Sequence, residues 1–133
     1  MSTFASIEEA RAHFVNDRFA TENGMTLDEI GDGTSLCSVT LTDRHKNAYG
    51  GVMGGVIFTL ADFAFAACCN NDHQLTVALN VDIHFMSAPK GKKLFARAKR
   101  IKSGKTTGVY SVEVTDDTGR EVALFTGTGY KLD

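Results

Sequence analysis

Asn47–Asn70 reads NAYGGVMGGVIFTLADFAFAACCN, and this stretch decides the fold. It opens with a glycine-rich loop, Gly50-Gly51-Val52-Met53-Gly54-Gly55. It continues as an apolar run from Val56 to Cys69 in which Asp62 is the only charge. A run of about fourteen residues is too short to cross a bilayer. Leu60, Ala61, Ala64, Ala66 and Ala67 favour helix over strand. The run therefore predicts a central helix over about 54–69, apolar all round and buried in a core.

Two features of this stretch look chemical. Glycines at a helix start leave backbone N–H groups that no side chain crowds, and such donors suit a developing oxyanion. Asp62 falls in mid-helix, where aspartate has poor propensity and burial of its charge is costly. The plainer alternative makes the glycines a turn and Asp62 a satisfied core polar group. Gly55 and Asp62 are seven residues apart on one face, roughly 10 Å along the axis. An oxyanion donor and a carboxylate must both lie about 3 Å from one reacting group. If both act, Gly55 of one chain pairs with Asp62 of a partner, which predicts at least a homodimer.

Outward from this helix, residues 6–22 read as an N-terminal helix. Ser6 and Glu9 form its capping box, and Ile7, Ala10 and Phe14 form its apolar stripe. Met25–Ile30 and Thr34–Thr42 read as strands. After the central helix, Asn70-Asn71-Asp72-His73 is expected to end it and turn the chain. Thr76–Phe85 alternates most cleanly, with Val77, Leu79, Val81, Ile83 and Phe85 on one face. Strands follow at Lys93–Lys102, Thr106–Thr115 and Glu121–Lys131. In Lys93–Lys102, Leu94, Ala96 and Ala98 oppose Phe95, Arg97 and Lys99. This order predicts one α+β domain spanning residues 1–133: a curved antiparallel sheet wrapped around the central helix, plus the N-terminal helix.

Composition narrows the function. The net charge of −2 argues against a nucleic-acid binder. No N-terminal apolar run with a cleavage site appears, so neither secretion nor membrane insertion is expected. Cys37, Cys68 and Cys69 show no C-x-x-C spacing and read as reduced thiols in a cytoplasmic protein. His13, His45, His73 and His84 are scattered, so no metal site and no resident cofactor are expected. No nucleophile elbow, Walker loop or dinucleotide fingerprint is present. One charge bias remains. Eight of the 14 Lys and Arg residues fall between Lys90 and Lys105, and no Asp or Glu occurs from Ile83 to Val112. This is either a solvated sheet edge or a landing patch for phosphates, with Lys99, Arg100 and Lys105 as candidates.

The glycine run and its helix resemble the signature of hotdog-fold acyl-CoA thioesterases, in the branch of the phenylacetate-pathway thioesterase. That pattern is N-x-x-G-x-x-H-G-G followed by L-A-D. Asn47, Gly50, Gly54, Gly55, Leu60, Ala61 and Asp62 match it in spacing, and His45 fits a common family choice. Met53 replaces the family histidine before the paired glycines. The likeness runs from about Phe14 to Tyr130 and includes Gly104–Tyr110 and Val122–Phe125.

The resemblance implies a hotdog arrangement, an acyl-CoA substrate and hydrolysis to a free acid and coenzyme A. On this reading the Gly55 N–H holds the oxyanion. Asp62 is the nucleophile or general base, and Asn47 orients the site. Met53, Gly54 and His45 border the substrate, although a plain loop role for His45 stays open. Lys99, Arg100 and Lys105 face the nucleotide. A homotetramer is allowed by family likeness. The rival is a non-catalytic acyl-thioester binding protein, because methionine cannot donate a hydrogen bond. A dehydratase would need a histidine where Met53 stands.

Overall fold

The structure is a computed structural model that describes residues 2–132. Helix α1 (Ile7–Phe14) starts at its Ser6 N-cap, but the return bond expected of a capping box goes to Ala5 rather than to Ser6. The Ser6 hydroxyl accepts from the Glu9 N–H at 3.1 Å, and the Glu9 carboxylate accepts from the Ala5 N–H at 3.3 Å. The helix expected over 6–22 does not run through. It stops at Val15 and resumes as the single turn α2 (Arg18–Thr21). Asn16 and Asp17 are poor helix formers that bond locally instead. The Asn16 side chain donates to the His13 carbonyl, and the Asp17 N–H donates to the Phe14 carbonyl.

Strands β1 (Thr26–Gly31) and β2 (Thr34–Thr40) precede helix α3 (Gly54–Asp72), and β3 (Thr76–Phe85), β4 (Lys93–Ser103), β5 (Thr107–Asp116) and β6 (Glu121–Lys131) follow. The six strands form one antiparallel sheet in the order β1-β2-β4-β5-β6-β3. The sheet wraps α3, which is the hotdog arrangement expected. Leu94, Ala96 and Ala98 of β4 point at the helix and are buried, as their alternation requires. Tyr110, Val112 and Val114 of β5 and Val122 and Phe125 of β6 close the same core. On α3 the matching side chains are Leu60, Ala61, Ala64, Phe65 and Cys68, all buried. Each large apolar side chain buried here contributes about 1.5–3 kcal/mol. Gly127 makes room for one of them: a Cβ there would stand 2.8 Å from the Phe65 ring.

The end of the central helix differs from the sequence reading. The central helix continues to Asp72, so Asn70 and Asn71 are helical and buried rather than a turn. Their amides are satisfied by neighbouring backbone. Asn70 exchanges hydrogen bonds with the Thr76 backbone, and Asn71 donates to the Gly31 carbonyl and accepts from the Phe4 N–H. These hydrogen bonds offset the desolvation of the buried amides.

Strand β3 also departs from its clean alternation. Its pairing with β6 slips between Ala78 and Asn80. Val77 therefore stands beside Tyr130 on the outer face, while Ile83 and Phe85 stand beside Phe125 and Ala123 on the inner one. Because β3 is a sheet edge, Leu79 and Phe85 remain 64% and 55% exposed. The chain reaches β4 from β3 by passing the ends of β6 and β5. Asp116 pins that crossover by accepting from the Lys90 and Gly91 N–H groups.

Candidate active site

The glycine loop is shaped by Asn47. Its side-chain oxygen accepts from the Tyr49 and Gly51 N–H groups at 2.9 and 3.1 Å. Its own N–H donates to the Gly51 carbonyl, and Gly50 takes the left-handed conformation at φ 84° that lets the chain double back. His45 holds the loop from beneath. It is 2% exposed, its carbonyl accepts from the Met53 N–H, and both ring nitrogens are engaged. Nδ1 accepts from the Thr42 N–H at 2.9 Å, which leaves Nε2–H to donate to the Asn23 carbonyl at 2.7 Å. No ring nitrogen is left for a substrate. In this arrangement His45 holds the loop, the alternative left open for it beside the substrate contact.

Met53 occupies the N-cap position of α3 without a side-chain cap, and it is 55% exposed. Gly54 and Gly55 follow as the first helical residues. Their N–H groups find no acceptor within the helix, as geometry demands, and none elsewhere among the described residues. The two glycines differ in surroundings. A Cβ on Gly54 would lie 3.5 Å from the Phe85 ring, whereas one on Gly55 would meet nothing within 4 Å. The start of α3 is therefore a pair of free donors, walled on one side by Phe85 and open on the other.

Asp62 lies two turns further on, partly buried, with no hydrogen bond or ion pair for its carboxylate among the described residues. Loss of hydration raises its pKa above the usual carboxylate range, and the nearby Asp17 carboxylate raises it further. The two carboxylates border one cleft of about 320 Å³ between α2 and α3, together with Arg18, Phe19, Phe58 and Phe63. Sequence reading missed Asp17. The break in the N-terminal helix at Asn16-Asp17 carried the only signal, since it folds this segment back over α3. A larger depression of about 470 Å³ lies between α1 and β1. Its Arg11 donates to the Leu27 and Asp28 carbonyls and is structural.

The basic candidates separate. Lys99 and Lys105 are exposed, on the outer face of β4 and in the β4–β5 turn. Arg100 is engaged by Asp72 at 2.9 Å and Asp32 at 3.1 Å. Tyr110 donates to the same Asp72 at 2.6 Å, so this cluster fastens the C-terminal end of α3 to the sheet. Arg100 thus stands by Asp72 while Gly55 lies 17 residues earlier, roughly 25 Å along the helix. Within one chain it does not reach the glycines. Cys68 and Cys69 are buried free thiols whose pKa burial pushes up to about 12, which removes them as nucleophiles. Among the described residues, no helix is long and apolar enough to cross a membrane.

A family model described as the thioesterase superfamily matches residues 49–123. The chain is 32% identical to the acyl-coenzyme A thioesterase PaaI of Escherichia coli over 126 residues, which cover 94% of this chain and 90% of that protein. The solved structure of the E. coli PaaI protein, from the phenylacetic acid degradation operon, superposes with a TM-score of 0.89 at 31% identity, covering 95% of this chain and 92% of that one. A hypothetical thioesterase from Streptococcus pneumoniae, solved with coenzyme A, gives 0.82 at 25% identity over 90% and 94% of the two chains.

Proposed function

Since the chain belongs to the thioesterase superfamily and is a thioester hydrolase, we propose that it cleaves an acyl- or aryl-CoA thioester at a site made from the start of α3 and Asp62. The Gly55 N–H, with the Gly54 N–H beside it, donates to the thioester oxygen as negative charge builds on it. Asp62 either attacks the carbonyl carbon or takes a proton from the attacking water. In both cases water supplies the oxygen of the new acid, the C–S bond breaks, and the proton ends on the sulfur of coenzyme A. Asn47 acts through the loop it clasps. Met53 and Gly54 border the acyl group. Lys99 and Lys105 offer charge to the nucleotide phosphates, and the three buried thiols support a reducing, cytoplasmic setting.

The observation that carries this reading is the Asp62 carboxylate. It is held in mid-helix without a protein partner, beside an open cleft, where its charge is disfavoured. A structural aspartate would be paired. The axial distance from Gly55 calls for two chains per site. The exposed edge strand β3, with Leu79 and Phe85 uncovered, supports a homodimer at least, because such an edge is open to pairing with a second copy. The whole of residues 1–133 then acts as one domain of that assembly.

Release of free thiol from a panel of acyl-CoAs tests the activity. We expect turnover on at least one thioester. Binding without release from any of them would favour the non-catalytic rival, whose support is the exposed, non-donating Met53. Light scattering at micromolar concentration should give a dimer or larger, and a monomer would remove the shared site.

A further inference from the structure

The cleft between α2 and α3 contains a group that the mechanism above does not use. Asp17 stands at the N-cap position of α2, the place where an aspartate normally accepts from its own helix, yet its side chain makes no capping hydrogen bond. Its carboxylate has no ion-pair partner among the described residues. It lines the same cleft as Asp62, which is equally unpartnered. Two carboxylates without a local partner among the described residues thus face one small cleft. An aspartate at this place has a ready use in holding its helix. Here it is turned to the cleft instead.

We propose that Asp17 is a positioning residue for thioester hydrolysis: it lines the α2–α3 cleft with Asp62 and acts on the reaction through that carboxylate. This rests on the reading of Asp62 as the reacting carboxylate. The physical effect has a definite sign. Loss of hydration first, and the second negative charge in addition, make the Asp62 carboxylate hold its proton more tightly than an ordinary aspartate. A more basic carboxylate is a better proton acceptor and a better nucleophile, provided it is ionised at the working pH. Asp17 is itself shifted upward, by loss of hydration, against the lowering field of His13 on α1. Among the described residues Arg18 is the only other ionisable group lining the cleft, and Cys69 further along α3 feels the charge of Asp62. The break at Asn16-Asp17 acquires a purpose on this account: it carries a second carboxylate from the N-terminal segment to the side of α3.

The test measures the pH profile of kcat/KM for the parent, Asp17→Asn and Asp17→Glu on one acyl-CoA. In parallel, the Asp62 carboxyl carbon is followed by NMR titration in the same proteins. Asn caps a helix as well as Asp does, so Asp17→Asn should fold. We expect Asp17→Asn to move the acidic limb and the Asp62 midpoint together to lower pH. Turnover on the plateau should fall a few-fold. Asp17→Glu, which keeps the charge, should stay near the parent in both readouts. If neither limb nor midpoint moves in Asp17→Asn, the proposal is wrong. If the midpoint moves and the limb does not, the pair is coupled without serving the reaction, and the proposal is again wrong. Asp62→Asn separates the two levels. Full activity in that variant overturns the assignment of Asp62 itself, whatever the titration shows about Asp17.

Discussion

Asp62→Asn replaces a carboxylate by an amide of the same shape. Among the described residues it breaks nothing, because the Asp62 side chain makes no hydrogen bond or ion pair with any of them. A shift in stability can therefore come only from the charge. The folded-state pKa of Asp62 is raised above its ordinary value, first by loss of hydration and then by Asp17. A raised carboxylate pKa means that ionised Asp62 destabilises the fold, fully so above its folded pKa. The effect vanishes below the unfolded value of about 3.9. The variant should thus unfold at a higher temperature than the parent near neutral pH, and the difference should close in acid. Activity should move the other way. Removing a general base or nucleophile costs at least about a hundredfold in turnover, or about 2.7 kcal/mol of transition-state stabilisation. The assay pairs thiol release on the best acyl-CoA with thermal unfolding across pH. Parent-like turnover in Asp62→Asn would refute the mechanism. Loss of activity accompanied by loss of stability would return Asp62 to a structural role.

Met53→His places a donor at the exposed N-cap position of α3 and should raise kcat by about five- to 150-fold, the value of one added site hydrogen bond of about 1–3 kcal/mol; equal rates for parent, Met53→His and Met53→Ala would make residue 53 plain packing. Replacing Lys99 and Lys105 together by Ala should raise KM for an acyl-CoA and leave an acyl-pantetheine unaffected, and parallel effects on both would mark those lysines as a solvated edge. Asp116 accepts from Thr118 and from the Lys90, Gly91 and Arg120 N–H groups, and these bonds hold its pKa well below the usual carboxylate range. A lowered folded pKa contributes stability that is fully present above about pH 4 and is lost as pH falls further, so Asp116→Asn should destabilise the protein at neutral pH and converge with the parent in acid. Denaturant titrations at several pH values measure that convergence.

The sequence by itself determined what local physics governs. An apolar run opened by glycines makes a helix that starts at Gly54 wherever it is placed. Leu94, Ala96 and Ala98 face a core because a strand alternates with period two. The family motif around Asn47, Gly54, Gly55 and Asp62 was legible for the same reason, since its spacing lies within one continuous segment. Non-local pairing decided the rest. Thr76–Phe85 alternates most cleanly, yet it forms an edge, because strand order depends on which backbone finds a partner across the sheet and not on the strand's own pattern. A one-residue slip at Leu79 then put Val77 on the opposite face from Ile83. His45 looked like a motif residue, and only the fold brought the Asn23 carbonyl to its ring. Arg100 looked like one of several free cations until α3 delivered Asp72 to it. Asp17 reached Asp62 across 45 residues of chain, through a helix break whose direction no propensity encodes. A sequence pattern reports how a segment partitions between water and core, but which segments meet is settled by the packing of the whole chain at once.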